Sequence, residues 1–442
     1  MRRTTLFSRM PHDVDGCKAA LAIGLALTAG ACAAQTITIT NKLANGYVAA
    51  PWPNACPNGL DIRVPTGYRI ERPHYIYNDK TKQYVLWAHY ESSAPGSGYT
   101  LANAMVATSP GECGPYQYVK DFRPLGQQVR DDFLWKDDDG TAYFMAASNK
   151  NGGANDTLAI FRLTPDYLDV DSTAGTTWAF DGKFREAPIV AKSGGVYFLL
   201  TSAAAGWYPS QGMYATATSM LGPWSALQPL GNAATFGGQN AGIKVIKGTQ
   251  GTANILVLDH LGGGTARDDG NLFLPVVLDP VAKTATLDWY SKYTVDLTTG
   301  VLTLPSTNSI AGGKPATASS SLSTNPPSNA DDRSYQTEWV ASSNTWPAWW
   351  QVDLGAAKPI HEIQISWWMY KGSEAYYKYA IEYSTDGANY TTIDRSNNTL
   401  YGFTVDSMNI SARYVRIRLL GAVLQNNPNN WYTPRMWHVR IL

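Results

Sequence analysis

Arg185-Glu186-Ala187-Pro188-Ile189-Val190 decides how this chain folds, because it is one of a set. Glu71-Arg72-Pro73-His74-Tyr75-Ile76-Tyr77, Arg130-Asp131-Asp132-Phe133-Leu134-Trp135 and Gly238-Gln239-Asn240-Ala241-Gly242-Ile243 follow the same plan. In three of the four, a carboxylate stands beside an arginine, followed by an apolar strand, a tight turn and a second aromatic-rich strand. Glu71, Asp131, Glu186 and Gln239 are separated by 60, 55 and 53 positions. A repeat of roughly 50 residues with only β signals inside it implies a radial array of sheets. The first strand of each sheet then lies at the axis, and four polar side chains are expected in one central well.

Outward from these strands the β pattern continues. Gln83–His89 and Val196–Leu200 alternate as strands do. Asn78-Asp79-Lys80-Thr81, Asp137-Asp138-Asp139-Gly140, Lys192-Ser193-Gly194-Gly195 and Asp386-Gly387 read as turns. The acidic run at 137–140 sits at hairpin spacing and lacks the periodic oxygen ligands of a calcium loop. Near Thr303–Asn308 the repeat stops in a Ser/Pro/Asn-rich stretch. Eight of the 15 tryptophans lie beyond it, among strands such as Trp349–Leu354, Ile363–Trp367, Tyr379–Tyr383 and Tyr414–Arg418. These indicate an antiparallel sandwich.

The chain has 442 residues, 44% hydrophobic and 16% charged, with 35 basic and 35 acidic side chains. That supports two or three packed domains and gives no electrostatic case for a nucleic acid or an anionic membrane as partner. Arg2, Arg3 and Arg9 precede an apolar run from Ala19 to Ala29 and small residues at 30–34. The run is too short to span a bilayer and reads as an export signal, residues 1–34, for a secreted or periplasmic product. Lipid anchoring through Cys32 is the rival reading. Cys56 and Cys113 remain after cleavage, an even pair in an oxidising compartment, and are expected to form a disulfide. No spacing suggests a zinc site.

Glu71-Arg72-Pro73, Arg130-Asp131 before the acidic turn, and Arg185-Glu186-Ala187-Pro188 resemble glycoside hydrolase family 43. So do the strand closures Gly114-Pro115-Tyr116 and Gly222-Pro223-Trp224. Glu71 with Tyr84-Val85-Leu86-Trp87, and Gln239 in the fourth unit, are similar to the branch that contains exo-β-1,3-galactanases. The resemblance covers roughly residues 68–300. It implies a β-propeller, five-bladed in the family. Here little chain precedes Glu71, and Thr36-Ile37-Thr38-Ile39-Thr40 offers at most a strand or two, so the first blade is incomplete or the ring four-bladed. The tail, through Gly313–Ser319, Ala330-Asp331-Asp332, Trp339, Trp350–Gly355 and Arg413–Arg416, resembles the coagulation factor 5/8 type C (discoidin) sandwich. That fold includes family 32 carbohydrate-binding modules. The expected division is a signal peptide at 1–34, a glycosidase-like propeller at 35–304 and a carbohydrate-binding-like jelly-roll sandwich at 309–442.

The resemblance implies roles. Glu186 is the proton donor of an inverting, exo-acting glycosidase, and Asp131 is the carboxylate that raises its pKa, with neighbouring Asp132 as rival. Gln239 takes the base position, and Glu71 holds substrate or serves as base itself. A general acid needs a pKa near working pH, which burial and a like charge provide. Trp207, Trp346 and Trp431 are the expected sugar platforms. The substrate implied is a galactan or arabinogalactan side chain. An α-L-arabinofuranosidase, β-galactofuranosidase or β-xylosidase, and a non-catalytic carbohydrate-binding protein, stay as alternatives. No cofactor or catalytic metal is expected. A structural calcium near Asp331-Asp332 would lack its usual glutamate, since His438 stands near that place. A monomer is expected.

Overall fold

The computed structural model describes residues 35–43, 52, 55–261, 268–369, 375–424 and 432–442. The expected signal peptide with Cys32, and Trp431, lie outside the described residues. The described chain is nearly all β. Five sheets precede the sandwich among the described residues.

The first sheet runs Tyr68–Asn78, Gln83–Ser92, Asn103–Ser109, Tyr116–Phe122, each antiparallel to the last, with Ile62–Arg63 added parallel at the outer edge. The second holds Asp132–Lys136, Ala142–Ser148, Thr157–Arg162 and Thr177–Ala179. The third holds Arg185–Ser193, Val196–Ala203, Gly212–Ala217 and Gln228–Leu230. The fourth holds Gly238–Lys247, Thr252–Leu261, Asp268–Asp279 and Thr284–Leu287. Each of the four quoted stretches therefore opens a sheet. The first strands of successive sheets pack against one another. First strands side by side are what the spacing implied for these four stretches. Ile189, Val190, Phe198, Leu199 and Leu256 are buried and share one core.

The N-terminal strand does not stand alone as a first blade. Thr36–Thr40 pairs antiparallel with Lys292–Asp296, which pairs in turn with Leu302–Thr303. Strands from the two ends of the domain share this fifth sheet, and pairing satisfies backbone groups that a lone strand would leave exposed. The acidic run at 137–140 is a hairpin turn, with Gly140 at φ 82° donating its N–H to the Asp137 carbonyl. Cys56 and Cys113 are disulfide-bonded.

The C-terminal strands form one sheet system, ordered Trp339–Val340, Arg435–Ile441, Ala348–Trp367, Phe403–Leu424, Ala375–Ser384, Thr391–Arg395, with Ala316–Ala318 on the long third strand. Trp339, Trp350 and Trp367 are fully buried in its core. The sandwich packs directly on the propeller-like part. Phe403 belongs to the core that contains Phe236 and Trp289. Arg440 donates to Asp288 (2.9 Å) and Ser291 to Glu362 (2.6 Å).

Candidate active site

Glu71, Glu186 and Gln239 sit at the starting ends of their strands, and Asp131 immediately precedes its own. A β-bulge follows directly in three of the four sheets, between Glu71 and His74, Glu186 and Ile189, and Asn240 and Gly242. A bulge inserts one residue and re-aims the side chains around it. Arg72 (φ 52°) and Ala187 (φ 50°) occupy equivalent bulge positions in the left-handed region, each before a proline. Such strained backbone persists only where the surroundings impose it.

Arg72 is the hub. Its guanidinium contacts Asp131 (3.3 Å) and Asp259 (2.6 Å), and donates to the Asn240 carbonyl (3.1 Å) and to Oε1 of Gln239. Gln239 then donates from Nε2 to Glu186 Oε1 (2.8 Å) and to Ser202 Oγ (3.2 Å). Asn155 Nδ2 donates to the other oxygen of Glu186 (2.9 Å). Four sheets thus contribute to one buried polar network. Two amides donate to Glu186, so a proton on its carboxyl is left free to point at a ligand. Burial, then the nearby Asp131 charge, push the Glu186 carboxyl up to about 8 against the pull of Arg72, Gln239 and Asn155. It is therefore mostly protonated at neutral pH.

Arg185 does not pair with Glu186. It turns away along the strand and donates to Thr201 Oγ1 (3.0 Å), the Thr201 carbonyl (2.9 Å) and the Gln211 carbonyl (2.8 Å). The alternation of side chains along a strand separates the two neighbours. The same alternation sends Asp131 and Asp132 to different partners. Asp131 faces Arg72, whereas Asp132 is buried beside His74 Nδ1 (3.5 Å).

Glu71 lies at the rim and does not touch Glu186's amide partners. It accepts from Tyr99 Oη (3.1 Å) and pairs with His89 Nδ1 (3.3 Å), and Arg69 stands 3.8 Å away. Burial would raise its pKa, but His89, Tyr99 and Arg69 prevail and hold it below the ordinary value. The imidazole of His89 is held between Glu71 and Glu91, which raises its pKa despite burial. Glu71 is thus an ionised acceptor.

Trp207 is 40% exposed in the loop between Val196–Ala203 and Gly212–Ala217, which leaves the third sheet at the Glu186 end. Trp346 is half-buried and packs against the sandwich core beside Tyr377, its indole N–H on Asn344 (2.7 Å). Arg72, Asp259 and Asn155 were not singled out from the sequence. Arg72 stands beside Glu71 in the sequence, and its place before a proline is the local signal of the bulge. Asp259 lies directly across the hairpin from Gln239, a register signal that a correct turn assignment supplies. Asn155 comes from an irregular loop and carries no signal.

A cavity of about 1090 Å³ opens at the opposite end of the first strands. Its rim is the hairpin turns at Asp79, Asp137 and Gly194, and none of the four key residues lines it. Among its charges, Lys136 pairs with Asp79 and Lys192 with Asp137 and Asp138. The buried polar network around Glu186 lies outside this cavity.

Residues 70–241 match the family model described as glycosyl hydrolases family 43. The chain carries a family 43 glycosyl hydrolase domain. It is a glycosidase, and residues 315–436 add an F5/8 type C domain. No curated protein matches the sequence. Among solved structures, this glycosidase is similar to an exo-β-1,3-galactanase from Phanerochaete chrysosporium with galactose, at 23% identity and a TM-score of 0.52, over 85% of this chain and 82% of that one. It is also similar to an exo-β-1,3-galactanase from Clostridium thermocellum, at 24% identity and a TM-score of 0.50, over 85% and 84%. At these identities the likeness concerns the fold.

The F5/8 type C domain raises the question of calcium. Both carboxylate oxygens of Asp331 are buried without a hydrogen-bond partner, and burial with the Asp332 charge lifts its pKa to about 7. Orphaned hard oxygens fit a hard cation. No cluster of three His, Cys, Asp or Glu side chains occurs among the described residues, so backbone carbonyls would complete such a site. His438 is buried against Tyr335.

Proposed function

We propose that this glycosidase is an exported, inverting, exo-acting galactan 1,3-β-galactosidase acting on arabinogalactan-type side chains. One observation carries the mechanism: a buried carboxyl, Glu186, kept protonated near neutrality by burial and Asp131, with its proton unengaged by its two amide partners. Glu186 passes that proton to the glycosidic oxygen as the bond to the anomeric carbon breaks. Water attacks from the opposite face, passes a proton to the base (Gln239 as its imidic tautomer, or Glu71), and leaves a hemiacetal of inverted configuration. Asp131 keeps the acid's pKa up, and Arg72 keeps Asp131 in place. Ionised Glu71 accepts hydroxyl hydrogen bonds from the sugar, and Trp207 gives it an apolar face.

Gln239 is the water-positioning residue. Its amide is bonded to Glu186, so it serves there only after an entering sugar breaks that bond. Positioning must do most of the work, because an amide is a poor base. The ionised state of Glu71 favours a second reading in which Glu71 takes the water's proton. The fold reading extends the same way: five blades closed by the sheet shared between Thr36–Thr40 and Lys292–Asp296. Export rests on the N-terminal signal and agrees with the disulfide.

The test is release of galactose from β-1,3-galacto-oligosaccharides, followed by NMR of the first-formed anomer. Wild type should release the inverted anomer, and Glu186→Gln should lose at least about 10³-fold in kcat. No release from any galactan ends the substrate reading. Release instead from arabinan, xylan or galactofuranosides selects one of the alternative glycosidases. For the base, Gln239→Ala rescued by azide supports Gln239, and rescue of Glu71→Gln supports Glu71.

A further inference from the structure

The segment that delivers Gln239 to the site is strained. Thr235, Phe236 and Gly237 have consecutive φ values of 45°, 55° and 87°. Two of these are L-residues in the left-handed region, each at a cost that surrounding contacts must offset. Within its own domain the turn is held by Asn232, whose Oδ1 accepts from the N–H of Ala234 (3.2 Å) and Phe236 (2.7 Å). Thr235 Oγ1 donates to the Ser210 carbonyl (2.6 Å).

Trp289 of the same domain also packs near the Phe236 ring (6.3 Å), and further support comes from the other domain. The Phe236 ring is fully buried and meets Phe403 (5.0 Å) and Tyr335 (5.7 Å) edge to face, both from the sandwich. Asn232 Nδ2 donates to Ser366 Oγ (3.0 Å), a fully buried bond across the domain boundary. Ala234 lies so near Gly402 that a Cβ there would stand 2.3 Å from the alanine's own. Tyr208, next to Trp207, packs its ring near that of Tyr401 (5.4 Å).

The same turn reaches Glu186. The Asn232 carbonyl accepts from Gln211 Nε2 (3.2 Å), and the Gln211 carbonyl accepts from Arg185, the residue before Glu186 (2.8 Å). Gln239 follows Gly237 by two residues and bonds Glu186 directly. Both site residues therefore hang on a turn that one domain shapes and the other clamps.

We propose that the F5/8 type C sandwich is part of the catalytic scaffold: Phe403 and Ser366 hold the Asn232–Gly237 turn and so position Gln239 against Glu186. Phe403, Ser366, Phe236 and Asn232 are positioning residues, and the inference rests on the roles given to Glu186 and Gln239. A domain that only captured polymer would change KM on long substrates and leave the chemical step alone. A scaffold acts on kcat for the shortest substrate, because a displacement of about 1 Å at reacting groups costs roughly 100-fold.

The experiment uses the full chain and the shortest β-1,3-galacto-oligosaccharide that wild type cleaves. Phe403→Ala should lower kcat about 100-fold and Ser366→Ala about tenfold, with KM within about twofold of wild type. Phe403→Leu, which keeps apolar volume, should restore most of the rate. Hydrogen exchange at residues 233–241 should quicken in both disruptive variants, a readout independent of turnover. Folded variants with wild-type kcat and unchanged exchange overturn the proposal, as does a loss confined to KM on polymer. If Phe403→Ala fails to fold, Ser366→Ala decides by both readouts. A wild type inert on every such sugar overturns the substrate reading, and exchange alone then decides whether the sandwich holds the turn.

Discussion

Replacing Glu186 with glutamine should remove activity and yet stabilise the folded chain at neutral pH. The carboxyl is raised from 4.5 to about 8 by burial and by Asp131. A carboxyl with a raised folded pKa contributes its full stability below about pH 4.5 and loses it as pH climbs towards 8. Over that window the unfolded chain releases a proton that the native one keeps. At about 1.4 kcal/mol per pH unit, wild type gives up roughly 3 kcal/mol between pH 4.5 and 7. The substituted amide stays neutral and loses nothing. Its new NH2 faces one donor amide, at a cost of about 1 kcal/mol if Asn155 turns its amide over to accept. The expected balance is a gain of roughly 2 kcal/mol at pH 7 and a difference near zero at pH 5. For a cooperative unit of this size that is about 2 °C in Tm at pH 7. Calorimetric midpoints of both proteins at pH 5, 6 and 7 test it. A stability difference that does not change across this range refutes the elevated carboxyl and the acid role built on it.

Four further outcomes follow from the same geometry. The basic limb of kcat/KM should fall near pH 8, and Asp131→Asn should move it to lower pH, because it removes the charge that helps raise Glu186; an unmoved limb refutes the coupling. Arg72→Met should abolish turnover and cost about 3–5 kcal/mol in denaturant unfolding, since it leaves Asp131 and Asp259 buried without their shared cation. Joint replacement of Cys56 and Cys113 by serine opens a loop with a sequence separation of 57 and should cost at most about 4 kcal/mol, read from thermal midpoints. Calcium should raise the Tm of wild type, EDTA should reverse the rise, and Asp331→Asn should be insensitive to both.

The placement of Glu186 against Asp131 shows how far pattern alone reaches. Both carboxylates were legible because strand alternation and a period near 50 residues put them at one end of neighbouring first strands, whatever the details of packing. Their charge states were not, because pKa depends on burial and on partners from other sheets. Arg72 was hidden for the same reason: its partners Asp131, Gln239 and Asp259 lie 59, 167 and 187 positions away. The pairing of Thr36–Thr40 with Lys292–Asp296 has no local signature, since a strand does not encode which distant edge it will join.

By itself, then, the sequence determined an all-β chain in two parts, the strands that open four of the sheets, the place of Glu186 on one of them, and the cysteine pair. Those follow from local alternation, turn chemistry and spacing. Only the tertiary structure decided that Arg185 turns away from Glu186, that Gln239 is bonded to Glu186, and that the sandwich grips the turn before Gln239. Each of these depends on contacts between residues far apart in the chain, and such contacts exist only once the sheets have packed.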